Sequence, residues 1–184
     1  MMRIPLWGTN YRKPVSLEGM HDFQFVCVSF EELFAGKIKA LLERSAAKDL
    51  YDVALLSTSN QTFDSASLRK ALILFGVTSK RDWREKDFRT IDRIDEKMLQ
   101  VELAPFVRRN EALNLDQLKS SAKELLRKVM TYDDKERRFM DLFLDNGKYE
   151  PELLFGEGEL AQKAKDRPSV LWKLQNLRKH LGLG

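Results

Sequence analysis

Helical periodicity runs almost without interruption from Ser29 to the C-terminus, and only the 28 residues before it have strand character. That imbalance constrains the fold most, because a lone two-stranded ribbon is marginal in water. The run from Asp22 to Val28 (DFQFVCV) is apolar and rich in aromatic and β-branched residues, and reads as a strand buried on both faces. Arg3–Trp7 is a candidate second strand, confined to an edge by Pro5, which lacks an N–H. Gly8, Thr9 and Asn10, then Pro14 and Gly19, mark loops between the two. A buried strand here needs partners from another copy of the chain, from another protein or from residues further upstream; the alternative is an irregular segment packed directly on helices. The expected fold is mainly α (α+β), with a short β element over residues 1–28 followed by a multi-helix bundle over residues 29–184.

The periodicity predicts helices over Phe30–Arg44, Lys48–Thr58, Ser65–Gly76, Trp83–Arg93, Glu96–Arg109, Leu115–Tyr132, Lys135–Asn146, Glu159–Lys165 and Ser169–Leu181. Ser29 with Glu32 three residues on has the form of a capping box. Asp64, Asn114 and Asp133 or Asp134 are further candidate caps, Gly76 can close the third helix, and Pro168 can open the last. No internal repeat or low-complexity segment is visible.

Thirty-two Lys and Arg against 28 Asp and Glu make the chain mildly basic, but both signs are mixed along it, as on an ordinary solvated surface. A single cysteine, Cys27, excludes an internal disulfide, and with only His21 and His180 beside it no Cys/His metal site is expected. No stretch approaches the roughly 18 apolar residues of a membrane span and no signal peptide is evident, so a cytoplasmic soluble protein is expected.

One charge stands out. With Phe30 as origin and about 100° per residue, Leu33, Phe34, Ile38 and Leu41 fall at about −60°, 40°, 80° and 20°, and Lys37 falls inside that stripe at about −20°. Lys39, two residues on, falls at about 180°, toward solvent. A lysine on a buried face must pair, lose its proton or reach a polar cleft. Either it snorkels or pairs with an acid for stability alone, or it projects into a site and meets an anion, phosphate being the obvious one. The next helix places Asp49 and Asp52 on one face among Leu50, Val53, Ala54, Leu55 and Leu56. One of the two is expected to pair with Lys37, the other to bond backbone near the Ser45–Ala47 turn or to favour the helix N-terminus.

Glu32-Leu33-Phe34-Ala35-Gly36-Lys37-Ile38-Lys39-Ala40-Leu41 followed by Lys48-Asp49-Leu50-Tyr51-Asp52 resembles the third and fourth motifs of the AbiEii/AbiGii family, with the strand Phe25–Val28 just ahead of them. These are nucleotidyltransferase-like toxins of type IV toxin–antitoxin and phage-abortive systems. The match covers roughly residues 22–57, beyond which it is general helicity. The resemblance implies that Lys37 contacts nucleotide phosphates, with Lys48 beside it in the cofactor-binding set, and that Asp49 and Lys37 are the catalytic residues. Glu32 and Asp52 are supporting residues. Arg is usual where Lys48 stands, and Lys lacks the planar fork.

The family's first motif, a Gly-Gly/Ser loop, and its second, with the Asp-x-Asp carboxylates that hold Mg²⁺, have no counterpart in the first 28 residues; Glu18 and Asp22 do not have the spacing. The expected protein is therefore a truncated or split nucleotidyltransferase-like toxin, inactive alone, with no metal ligands of its own. NTP and Mg²⁺ are implied if the upstream sheet is supplied. The alternative is a non-catalytic helical binding protein. Expected partners are a cognate antitoxin, an N-terminal nucleotidyltransferase half, or a second copy through the N-terminal strand, and no membrane. Nucleic acid, such as tRNA, is a weaker expectation, from six Lys or Arg against two acids after residue 158 and from Trp83, Phe88, Phe106 and Trp172 among basic residues. Those aromatics fit ordinary helix-packing anchors better than base-stacking platforms.

Overall fold

The computed structural model describes residues 5–12, 23–58, 62–108 and 111–183, with Asn10 and Arg12 through their backbone only. Its sheet is one antiparallel ribbon, β1 (Thr9–Arg12) against β2 (Phe25–Val28), with Thr9 opposite Val28 and Arg12 opposite Phe25. Helices follow: α1 (Phe30–Arg44), α2 (Ala47–Thr58), α3 (Ser65–Gly76), α4 (Arg89–Asp92), α5 (Glu96–Met98), α6 (Leu115–Val129), α7 (Asp134–Asn146), α8 (Glu152–Phe155), α9 (Glu159–Lys165) and α10 (Pro168–His180). The mainly helical expectation holds.

Two expectations about the N-terminal region do not. The partner of β2 is Thr9–Arg12, not Arg3–Trp7; Pro5–Trp7 is irregular, with the Leu6 side chain buried and the N–H groups of Leu6 and Trp7 donating to Glu32. Nor is the run ending at Val28 buried on both faces: Phe23, just before β2, and Phe25 and Val26 within it are exposed, because among the described residues no second layer covers the ribbon. Arg3, Ile4 and Asp22, at the ends of the expected strands, and Arg109, at the end of an expected helix, lie outside the described residues.

The core lies between α1, α2, α3, α6 and α7. Ile38, Leu41 and Leu42 of α1 meet α3, whose last turns (Ala71–Phe75) are buried nearly all round. Leu50, Val53 and Leu56 of α2 face Ala122, Leu125 and Leu126 of α6. Phe139 and Phe143 of α7 close the far side, packed edge-on to Tyr149. Several helix ends are set by the residues expected. Ser29 accepts from Glu32 N–H, Asp64 from Ala66 and Ser67, and Asn114 from Gln117. The reciprocal capping box is at Asp133 and Glu136, however, since the Glu32 side chain turns instead to the N-terminal segment.

Two helical expectations fail for identifiable reasons. Residues 83–88 are not helical: Asp82 accepts from Arg84 N–H and Asp87 from Arg89 N–H, local side-chain bonds that compete with the helical ladder. Trp83 instead turns back into the core against Gly76. Beyond Met98 the expected helix widens into a π turn over Leu99–Leu103 and tightens into a 3₁₀ turn over Ala104–Phe106. Pro105 has no N–H and its ring crowds the carbonyl four residues back, so the α ladder cannot pass it. Between Gly147 and Gly158, where no helix is expected, the structure has the short helix α8, opened behind Pro151.

Gly76 is needed for space. A Cβ there would lie 2.7 Å from ring carbons of Trp83. Gly76→Ala is expected to destabilise the fold by about 1–3 kcal/mol despite its better helix propensity; an unchanged urea midpoint would contradict the close packing of Trp83.

Candidate functional site

α1 ends at Ser45 in the left-handed conformation (φ 55°), and α2 starts two residues later, so the last turn of α1 lies beside the first turn of α2. One side of α1, the start of α2, and Pro5, Val28 and Phe75 enclose an open groove of about 340 Å³. Leu33, Gly36, Lys37, Ala40 and Arg44 line it from α1 and Asp49 from α2.

Lys37 is not buried, contrary to its place in the expected stripe. The buried face of α1 is centred on Ala35, Ile38 and Leu42, Leu33 is exposed, and Lys37 sits at the boundary with 41% of its side chain accessible. Lys39, expected in solvent, is the more covered lysine at 17%, paired with Glu43. The Lys37 ammonium donates to Asp52 Oδ2 at 2.6 Å. With Asp52 also partly exposed, such a pair is worth about 0–1 kcal/mol, so the lysine can exchange this counter-ion for a ligand at little cost.

Asp49 behaves differently. Its side chain is 2% exposed and accepts two bonds from one guanidinium: Arg44 Nε at 2.6 Å and Arg44 Nη2 at 2.8 Å. The Arg44 side chain is 66% exposed, and the hydrogen bond and charge of Asp49 raise its pKa further. Asp49 and Asp52 thus divide between two cations. Lys48 is turned away from the groove, its ammonium 3.6 Å from the centre of the Phe106 ring. Glu32 is buried at the groove's inner end, accepting from Leu6 N–H (2.8 Å) and Trp7 N–H (3.2 Å) and facing Arg167 at 3.4 Å. The structure therefore brings Lys37, Asp49, Asp52 and Glu32 into one neighbourhood and leaves Lys48 outside it. Arg44 joins the site unannounced: the only signal was an arginine five residues before Asp49 across a short turn.

These carboxylates do not fit a Mg²⁺ ion. Both oxygens of Asp49 are held by Arg44, those of Glu32 by two N–H groups and Arg167, and Asp52 by Lys37. Among the described residues no group of three His, Cys, Asp or Glu could hold a metal ion.

Of the aromatics read as anchors or platforms, Trp83 is buried and Phe88 packs on the core. Phe106 and Trp172 are exposed, so packing does not account for them.

The family model described as nucleotidyl transferase AbiEii toxin, type IV TA system, matches residues 8–175. The chain belongs to the AbiEii family. The match runs well beyond residues 22–57: the ribbon and the helices as far as α10 are part of what defines this AbiEii chain, not generic helicity. AbiEii membership indicates a nucleotidyltransferase-like toxin, and the type IV class indicates an antitoxin as partner. No curated protein and no solved structure matches the chain. Among the described residues, no helix is long and apolar enough to cross a membrane.

Proposed function

We propose that this chain supplies the phosphate-facing wall of a nucleotidyltransferase site, with Lys37 holding the phosphates of an NTP, and does not carry out transfer by itself. The observation that carries the reading is Lys37 itself, accessible on a groove and paired, among the described residues, to a partly exposed carboxylate. An ammonium there is a compact point charge suited to phosphate oxygens. Nucleotidyl transfer assisted by Mg²⁺ needs carboxylates that place the cation between phosphate oxygens. The groove's acids are engaged elsewhere, and nowhere in the 184 residues do two aspartates stand two apart. The metal-holding carboxylates are therefore to come from a polypeptide segment outside these residues, in cis or from a second chain.

The exposed Tyr11, Phe25 and Val26 of the ribbon favour a second reading, a non-catalytic protein that joins an antitoxin or another subunit there. A transfer assay with labelled NTPs, Mg²⁺ and bulk tRNA separates activity from inactivity. The chain alone is expected to leave label incorporation at background. Incorporation that rises with enzyme concentration would overturn the claim that its own acids cannot serve the metal.

A further inference from the structure

We infer that the groove is a two-cation cradle for a polyphosphate chain free of divalent metal, with Arg44 as its second anion-binding group and Asp49 as the residue that positions Arg44. This rests on the phosphate reading of Lys37 and goes beyond it in naming a second contact and the metal-free form of the ligand.

Lys37 and Arg44 are two helical turns apart on the same side of α1, about 10.5 Å along its axis. Between them the groove is lined by Gly36 and Ala40, whose small size leaves room for a chain of phosphates between the two cations. Arg44 cannot exchange its counter-ion as Lys37 can, because Asp49 is desolvated and would be left as a buried, unpaired charge. The fork instead fixes the guanidinium plane. Asp49 engages Nε and Nη2, which leaves further N–H groups for a ligand on a side chain that is mostly accessible. A guanidinium pre-set in this way loses little further entropy on meeting a phosphate oxygen. Asp49 is thus a positioning residue. Glu32 and Asp49, the carboxylates that line the groove, are held by other donors. Asp52, which Lys37 releases on turning to phosphate, is a single carboxylate outside the groove lining, too few to complete the shell of a phosphate-bound Mg²⁺. Metal complexation would also lower the negative charge the two cations recognise.

The test titrates the whole chain with inorganic tripolyphosphate and, separately, with ATP, first in EDTA and then in excess Mg²⁺. Both are expected to bind in EDTA and more weakly with Mg²⁺; tripolyphosphate shows that the phosphate chain suffices, and ATP that a nucleotide is admitted. Arg44→Gln should weaken both by about tenfold, the range of one charge-assisted hydrogen bond. Arg44→Lys, which keeps the charge opposite Asp49, should recover part of the loss, and Asp49→Asn should weaken binding with Arg44 still present. Thermal midpoints without ligand identify variants that fail to fold; Arg44→Lys then carries the comparison. Wild-type affinity in Arg44→Gln, or binding that appears only with Mg²⁺, overturns the proposal. Lys37→Ala separates the two readings. If it abolishes binding while Arg44→Gln does not, only the cradle fails; if it leaves binding unchanged, the phosphate reading of Lys37 fails.

Discussion

Glu32→Ala is expected to destabilise the protein by about 3–5 kcal/mol, the range for removing one partner of a buried ion pair. Glu32 and Arg167 are both buried, and Arg167 also lies over the Phe75 ring. Without the carboxylate, a guanidinium and the N–H of Leu6 lose this partner inside the protein. The same carboxylate connects three distant parts of the chain: the N-terminal segment at Leu6 and Trp7, the first turn of α1, and the residue that precedes α10. The loss should therefore appear in two ways. Urea unfolding should shift to a lower midpoint, and the amides of Leu6 and Trp7 should exchange with solvent before the rest of the fold unfolds. Glu32→Gln keeps an acceptor for the two N–H groups but not the charge opposite Arg167, and should fall between. A loss under about 1 kcal/mol for Glu32→Ala would mean that Arg167 and the N-terminal segment find other partners.

Glu32 also illustrates what the sequence could convey. Its position three residues after Ser29 predicts a capping box, and half of it forms. The other half is absent because a non-local demand, a buried arginine 135 residues away, claims the carboxylate. Local signals succeeded where they had no competitor. The limits of α1, α3 and α9 follow from periodicity with caps such as Ser29 and Asp64, and fall where expected. They failed where side chains bonded their own backbone, as at Asp82 and Asp87, or where Pro105 broke the ladder.

The site was partly legible. Lys37 stood out because a wheel drawn on Phe30, Leu33, Phe34 and Leu41 put it among apolar residues. Leu33 is not a core residue, so the true apolar face of α1 is rotated away from that stripe, yet Lys37 does line the groove. Its pairing with one of the two aspartates was foreseen as an alternative, and Asp52 fills that role. Arg44 was not foreseen. Its bond to Asp49 depends on the angle at which α1 and α2 meet, and that angle is set by the left-handed Ser45, which no periodicity reveals. The buried reading of β2 failed because apolar composition does not say whether a second layer exists to cover a strand.

The second large effect concerns Lys37. Removing it should leave the fold nearly intact, because among the described residues its ammonium is tied to the partly exposed Asp52, a pair worth at most about 1 kcal/mol. Binding should suffer far more. A charge-assisted hydrogen bond contributes about 1.5–3 kcal/mol, a factor of roughly 10 to 150 in affinity. The most direct measurement is a calorimetric titration of a nucleoside triphosphate into the wild-type chain and into Lys37→Ala, with unfolding midpoints recorded for both. Measurable binding by the wild type that falls at least about tenfold in a variant of unchanged midpoint is the predicted result. Equal binding by the two proteins would contradict the assignment of Lys37 to phosphate.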